Sequence, residues 1–301
     1  MRSASATKKP IFDTNVFGDV QRKQISQTEW RYLLRHRPSR GWPLSSVTAL
    51  ELLAGVHAAL PENFLHVKER IGLAYRLSNG RVLEDPRSLL CKEILHIPFS
   101  RMAPASPTMS RYMDVIRRAS SPKQLLNTGV PYKGRMARLD TTSVLADVMA
   151  GPKTDWIAAV ERMAGEISPA WRELFQRTGR RLPPEMRKEL GPRSAWDGQR
   201  SNFIKALLDW LGAGRCPEIV AQIAARLDAM LEFTIFVARE FLLRNYSPEK
   251  HQSDVFDQFQ LQYLAMDRFV IVSRDPDLLT RIQHSTQAAR IMSFDQFLRT
   301  L

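Results

Sequence analysis

Two short apolar runs, one near each end of the chain, predict neighbouring strands of a parallel sheet. Ile11-Phe12 leads directly into Asp13, and the uncharged run Phe269-Val-Ile-Val272 is followed by Ser-Arg-Asp275. Uncharged runs of this kind are typical of parallel strands that are buried on both faces. Further short strands are predicted at residues 42–47, 81–83 and 290–293.

Helical spacing of apolar residues fills the segments around these strands. Ser26-Gln-Thr-Glu29 offers an N-cap and an acidic first turn for a helix over residues 26–34. Residues 16–25 are interpreted as a polar connection. The alternation of strands and helices predicts an α/β fold, an α/β/α sandwich with a central parallel sheet. Other helices of this part are predicted at residues 48–56, 61–78, 85–95, 253–265, 278–284 and 294–301.

The middle of the chain, residues 98–249, has a different pattern. Apolar positions recur at helical spacing between Pro and Gly breaks, and we find no alternation typical of strands. We therefore expect a large all-helical insertion that divides the α/β domain into residues 9–97 and 250–301. Its helices are predicted at residues 107–118, 139–149, 155–167, 169–177, 184–190, 202–211 and 217–245.

The charge balance adds a polyanionic partner to this picture. The 301 residues include 44 Lys and Arg against 31 Asp and Glu, which gives a net charge of +13. Such an excess favours nucleic acid as the partner, although a basic surface that serves solubility explains it equally well. The two cysteines, Cys91 and Cys216, are too few for a disulfide framework or a structural zinc site.

The expected location is the cytoplasm. The cysteine content indicates a reducing compartment. No apolar segment typical of a secretory signal follows the basic residues 1–9, and no apolar run reaches the roughly 18 residues of a membrane span.

One stretch of the insertion combines basic residues with nearby aromatic residues. Basic side chains neutralise phosphates and aromatic rings stack on bases, so this stretch is a candidate nucleic-acid interface. The alternative is a solvated basic face over helices whose aromatic residues belong to the core. The aromatic residues are Trp171, Phe175, Trp196 and Phe203, and the candidate contacts are Arg177, Arg180, Arg181, Arg187, Lys188 and Arg193.

Five acidic residues stand in contexts that place them near one edge of the predicted sheet. Asp13 and Asp275 each follow a strand, and parallel strands present their carboxyl ends at the same edge. Asp254 and Asp257 share one side of the helix just before the second strand. Glu51 is the only charge in an apolar helix. Taken singly, Asp13 could cap a helix and Glu51 could pair with an arginine.

If these carboxylates meet, they need a counter-charge. Two like charges 4 Å apart repel by about 4 kcal/mol at an effective dielectric constant of 20. Protons or divalent cations relieve this repulsion, and all-oxygen ligands suit Mg²⁺ or Mn²⁺. None of the six histidines has the spacing of a metal ligand.

The acidic motifs, in their order along the chain, resemble those of PIN-domain nucleases. The resemblance covers about residues 9–97 and 250–301, and about 150 extra residues separate its second and third acids. The matching features are Asp13-Thr-Asn15 after a strand, Glu51 in an apolar helix, Asp257 in Asp-x-x-x-Leu-x-Tyr-Leu, Ser273-x-Asp275, and the C-terminal Phe294-Asp-Gln-Phe297.

This resemblance implies an endoribonuclease that hydrolyses phosphodiester bonds of RNA, less often DNA, with one or two Mg²⁺ or Mn²⁺ ions. The implied ion-binding residues are Asp13, Glu51, Asp257 and Asp275, with Asp254 as an outer or alternative ligand. Asn15 and Ser273 would orient these carboxylates by hydrogen bonding. The basic insertion would supply phosphate contacts and substrate selection.

Several biological roles stay open at this point. The enzyme could process RNA alone, act as a homodimer, or be the toxin of a toxin–antitoxin pair with a protein inhibitor. A second hypothesis is a non-catalytic nucleic-acid-binding or regulatory protein on the same fold. A third is a phosphatase-type hydrolase with Asp13 as nucleophile. The sequence lacks a P-loop, a Gly-rich dinucleotide fingerprint and a Gly-x-Ser-x-Gly motif, which disfavours nucleotide-driven, redox and α/β-hydrolase chemistry.

Overall fold

The structure is a computed structural model of the chain. It describes residues 8–59, 62–98, 106–132, 135–138, 183–190, 192–214, 216–243 and 246–301, and the single residues 160, 173 and 177. Within those ranges, no helix has the length and apolar character to cross a membrane.

The α-helices of the described part range from 5 to 16 residues in length, and the strands are short. In chain order, the strands are β1 (Lys9–Phe12), β2 (Gly129–Tyr132), β3 (Arg135–Arg138), β4 (Phe269–Ser273) and β5 (Ile291–Ser293). The first helices are α1 (Thr14–Gln21), α2 (Gln27–His36), α3 (Ser46–Ala59), α4 (Phe64–Ser78), α5 (Pro86–Leu90), α6 (Ser106–Arg118) and α7 (Pro122–Asn127). The later helices are α8 (Pro184–Leu190), α9 (Arg200–Leu211), α10 (Pro217–Arg226), α11 (Asp228–Leu243), α12 (Asp254–Leu261), α13 (Pro276–Arg281) and α14 (Phe294–Leu298).

A small parallel sheet joins the two ends of the chain. Its strand order is β1-β4-β5, so β4 is the central strand. In the register of β1 and β4, Ile11 lies opposite Ile271 and Phe12 lies opposite Val272. Every residue of β4 is buried, as expected for a strand covered on both faces. The protein is therefore a mixed α/β structure with a parallel sheet, and most of its described residues are helical.

Two predicted strands, at residues 42–47 and 81–83, are wrong. Leu44 and Val82 form only an isolated parallel bridge. The reason at 42–47 is that Ser45 already caps the next helix, because the Thr48 amide donates to Ser45 Oγ at 2.8 Å. The residues predicted as a strand therefore end in the first turn of α3.

The prediction of a polar connection after β1 is also wrong. This segment forms helix α1, whose N-cap is Asp13. Val16 and Phe17 are fully buried against the core, and Gln21 at the end of the helix is partly exposed. The apolar side of α1 is too short to give a clear periodic signal in the sequence.

The prediction that the insertion is all-helical is wrong as well. β2 and β3 pair as an antiparallel hairpin, with Val130 opposite Ala137. The single helix predicted over residues 217–245 is two helices, α10 and α11, which meet at Leu227. The helix predicted at 139–149, and most of the helices predicted at 155–167 and 169–177, lie outside the described residues.

One hydrophobic core connects the insertion with the α/β part. Phe233 of α11 and Ile204 of α9 belong to the same buried cluster as Ile11 and Ile271 of the sheet. A polar contact joins the two parts as well, because Ser285 Oγ donates to the Asp228 carboxylate at 2.9 Å. The last helix of the insertion is thereby fixed next to the C-terminal strands.

Gly41 provides a test of the packing between the α2–α3 connection and α4. Its φ is +73°, and an added Cβ would lie 2.6 Å from the backbone carbon of Ser78. Gly212 has a nearly identical φ of +74°, but a Cβ there has no described atom within 4 Å. We expect Gly212→Ala to cost about 1 to 2 kcal/mol of unfolding free energy and Gly41→Ala to cost clearly more, as measured by urea unfolding. Equal losses in the two variants would contradict this packing.

Candidate functional site

The pairing of β1 with β4 brings Asp13 and Asp275 to the same edge of the sheet. The Asp13 amide donates to the carbonyl oxygen of Val272 at 3.0 Å, which continues the parallel ladder to the last residue before each turn. Both carboxylates therefore follow adjacent strands at their carboxyl ends. Asp13 and Ser273, 260 positions apart in the chain, become neighbours by this pairing alone.

The hydroxyl group of Ser273 connects the Asp13 carboxylate with the backbone of the turn that carries Asp275. Ser273 Oγ donates to Asp13 Oδ2 at 2.7 Å and accepts from the Asp275 amide at 3.0 Å. Asn15 Nδ2 also donates to Ser273 Oγ, at 3.1 Å. Asn15 Oδ1 in turn accepts from the Arg274 amide at 3.1 Å. These bonds fix the orientation of the Asp13 carboxylate relative to the turn that carries Asp275.

Both aspartates also cap helices, which is the alternative role considered for Asp13. Asp13 Oδ1 accepts from the Thr14 amide at 2.7 Å at the start of α1. Asp275 Oδ1 accepts from the Asp277 amide at 2.8 Å at the start of α13. A helix N-terminus stabilises a nearby negative charge. Capping therefore contributes to holding these carboxylates in place and does not exclude a second role.

Glu51 reaches the same region from α3. Thr14 Oγ1 donates to Glu51 Oε2 at 2.6 Å, so one side chain lies between Glu51 and Asp13. The position of α3 is fixed by Thr48, whose hydroxyl group donates to the Phe12 carbonyl oxygen at 2.9 Å. Thr14 is a contact that the sequence interpretation misses, although it lies within the Asp-Thr-Asn motif.

The carboxyl group of Asp257 lies in the field of the other acids. Burial raises its pKa well above the ordinary value, and the negative charges of Asp13, Glu51, Asp254 and Asp275 raise it further. The pKa of Asp13 is also raised, first by burial and then by the charge of Asp275, against the opposing effect of its hydrogen bonds. The predicted acidic residues thus form one electrostatically coupled group.

Asp254 has the arginine Arg281 as a close cationic partner. Arg281 Nη1 lies 2.9 Å from Asp254 Oδ2 and 4.0 Å from Asp257 Oδ2. The hydroxyl group of Tyr246 donates to Asp254 Oδ2 at 2.7 Å. Burial acts to lower the pKa of Arg281, but the two carboxylates outweigh it and the net shift is upward. No local motif marks Arg281 or Tyr246, so the sequence could not identify them.

The predicted basic interface is only partly described. Arg187 and Lys188 are exposed on α8, and Arg177 is exposed as well. Arg180 and Arg181 lie outside the described residues, and of Arg193 only the backbone is described. Trp196 and Phe203 are buried in the core, 1% and 8% exposed, so neither ring is available for stacking on a base.

The donor set at the sheet edge has the chemistry that Mg²⁺ and Mn²⁺ prefer, since its ligands would all be carboxylate oxygens. Among the described residues, however, no three His, Cys, Asp or Glu side chains already lie close enough together to hold one ion. No family model, curated protein or solved structure matches the chain. The resemblance to PIN-domain nucleases therefore stays a prediction.

The raised pKa values predict an unusual pH dependence of stability. Asp13 and Asp257 bind protons more tightly in the folded than in the unfolded protein, so the free energy of unfolding falls as pH rises above about 4. For each proton released, the free energy of unfolding falls by at most about 1.4 kcal/mol per pH unit. We expect urea unfolding in chelator to show this loss as the pH is raised above about 4.

The variant Asp257→Asn cannot ionise and should show a smaller loss over the same pH range. The matched control is Asp277→Asn, because Asp277 is an exposed carboxylate on the neighbouring helix. The control should keep the wild-type slope. A wild-type slope in Asp257→Asn would show that Asp257 is not part of a crowded group.

Proposed function

We propose that the chain is a PIN-like endoribonuclease that hydrolyses phosphodiester bonds of RNA with the help of Mg²⁺ or Mn²⁺. The observation that carries the proposal is the bridge from Asp13 through the Ser273 hydroxyl group to the Asp275 turn, at the carboxyl ends of two parallel strands. Ligands of open α/β sheets bind at this edge. The net charge of +13 supports a nucleic-acid substrate.

The electrostatics of the cluster support a bound cation as a further counter-charge. The other four acids all act to raise the pKa of Asp257. Arg281 lies nearer to Asp254 than to Asp257, so it offsets mainly the charge of Asp254. A divalent cation would offset the charge that Arg281 leaves, and it would lower the free energy of the ionised state.

Asp13, Glu51, Asp257 and Asp275 would hold the ion. Asp254, which is paired with Arg281, would be an outer or alternative ligand. A bound Mg²⁺ or Mn²⁺ supplies a lowered pKa for water and charge stabilisation for the phosphoryl group. The protein groups prepare this chemistry. Ser273 and Thr14 donate hydrogen bonds to the carboxylates of Asp13 and Glu51, which reduces the freedom that these two side chains would lose on binding an ion.

A second candidate function is a non-catalytic nucleic-acid-binding or regulatory protein with the same fold. One observation favours it, because no three acidic side chains of the described part stand at ion-binding distance from one another. Catalysis then requires side-chain rotation that draws the carboxylates together when the ion binds. The non-catalytic function requires none.

The preference for RNA over DNA comes from the family resemblance, as do the toxin role and the antitoxin partner. The same holds for a homodimer as the active form. The cytoplasm is the proposed compartment, since both cysteines, buried Cys91 and exposed Cys216, are free.

The proposal is tested by cleavage of labelled RNA, single-stranded DNA and duplex DNA in Mn²⁺, Mg²⁺ or chelator. We expect cleavage that requires a divalent cation and that falls by at least about 100-fold in Asp275→Asn, because one charged ligand is lost. Asn caps a helix about as well as Asp, so the folded structure should survive the change. Asp277→Asn, two residues away and exposed, is the control that keeps full activity.

Full activity in Asp275→Asn, or cleavage that continues in chelator, would contradict the proposal. Binding of nucleic acid without cleavage under any of the metal conditions would favour the non-catalytic function instead.

A further inference from the structure

A small recess opens beside the acidic cluster, between α1, α3 and α4. Its volume is about 230 Å³. Leu52 of α3 and Val67 of α4 provide an apolar wall. Arg22 and Arg70 provide positive charge, and Asn15 and Glu51 connect the recess to the cluster. The recess thus combines an apolar surface with two cations next to the proposed reactive centre.

A wider and more open trough lies on the other side of α1. Its volume is about 670 Å³, and its lining includes Gln24, Arg274 and Asp275. Asn15 and Arg22 line both the trough and the recess. The two cavities therefore adjoin along α1. Of the acidic cluster, Glu51 lines the recess and Asp275 lines the trough.

The arginines that line the recess and the trough are Arg22, Arg70 and Arg274, and two of them are held by an ion pair. Asp19 bridges two of them, since its carboxylate lies 2.5 Å from Arg22 Nη2 and 2.9 Å from Arg274 Nε. Burial and the charge of Arg22 lower the pKa of Arg70, while the charge of Glu51 opposes this shift. Two guanidinium groups beside one recess attract an anion, and the planar guanidinium fork matches the oxygens of a phosphate.

The size of the recess limits what it can hold. Pockets for whole small molecules measure roughly 300 to 1,000 Å³, so a recess of this size suits one flat group of a longer ligand. The bases of a duplex are stacked and paired, whereas a single strand can turn one base outward. The apolar wall of Leu52 and Val67 suits the face of such a base.

We propose that this recess is a nucleotide subsite for a single-stranded nucleic acid. One base enters between Leu52 and Val67, Arg22 and Arg70 contact the adjoining phosphates, and the strand continues across the acidic cluster into the trough beside Arg274. The inference rests on the proposed nuclease function for the role of the acidic cluster, and it adds the place where a base binds and the residues that contact the base and the adjoining phosphates.

The phosphate contacts are tested by binding of a short labelled single-stranded RNA in chelator, where the proposed cleavage does not occur. Removing one cationic contact weakens binding by roughly tenfold. It also reduces the slope of log K against log salt concentration by about 0.7, the value for one phosphate on a single strand. We expect both effects for Arg70→Gln and for Arg22→Gln. The control Arg76→Gln, an exposed position on the same helix, should lower neither affinity nor slope to this extent.

The base contact is tested by filling the recess without changing its charge. Val67→Phe should weaken binding of the single strand several-fold and leave the salt slope unchanged. Leu65→Phe is the matched control, because Leu65 is on the same helix and 73% exposed. Circular dichroism melting shows whether each variant is folded. Duplex RNA should bind more weakly than the single strand, and single-stranded DNA shows whether the ribose hydroxyl group matters.

The outcomes separate this inference from the proposed nuclease function. Equal affinity for single-stranded RNA in Arg70→Gln and Arg76→Gln, or in Val67→Phe and Leu65→Phe, would contradict the proposed subsite. This holds even if the protein cleaves RNA in Mn²⁺. Equal binding of duplex and single strand would overturn it too. Binding that depends on Arg70 and Val67, with no cleavage in any metal, would instead support the subsite and overturn the nuclease function.

Discussion

The parallel pairing of β1 with β4 is the constraint on which the candidate site depends. It places Asp13 beside Ser273 at the carboxyl ends of adjacent strands. Helices α1 and α13 start from the two turns that follow, so their capping aspartates point to one region. Without this pairing, Asp13 and Asp275 would be ordinary helix caps. With it, they become neighbours in a group of carboxylates that also contains Glu51 and Asp257.

Crowding of carboxylates costs free energy, and the surrounding structure offsets part of that cost. The helix N-termini, the hydroxyl groups of Thr14 and Ser273, and the guanidinium of Arg281 each stabilise one negative charge. The insertion takes part in this arrangement. Phe233 and Phe236 of α11 place their ring centres 5.5 and 5.7 Å from the Arg281 guanidinium carbon. Residues far from the acidic motifs in sequence thus help to position the arginine that lies beside Asp254 and Asp257.

The sequence is sufficient for the parts of the site that local patterns encode. An uncharged run before an aspartate identifies a strand end, and two such ends in one parallel sheet must lie on one edge. Asp257 is marked by its place beside Asp254 on one side of a helix, and the resemblance adds its pattern with Tyr263, whose buried hydroxyl group contacts Ser46 Oγ of α3 at 3.0 Å. The sequence pattern does not predict helix α1, because the apolar side of this helix is short. The β2–β3 hairpin and the contacts of Arg281, Tyr246 and Arg70 depend on packing between segments, for which a single sequence contains no local signal.

The central claim is that the carboxylates at the β1–β4 edge bind a divalent cation. The most direct measurement is anomalous diffraction from crystals of the full chain grown or soaked in Mn²⁺. The account predicts a strong anomalous peak among the side chains of Asp13, Asp257 and Asp275, on the side that Glu51 faces, and loss of this peak in Asp257→Asn. A well-ordered site without a peak, or an unchanged peak in that variant, would contradict it.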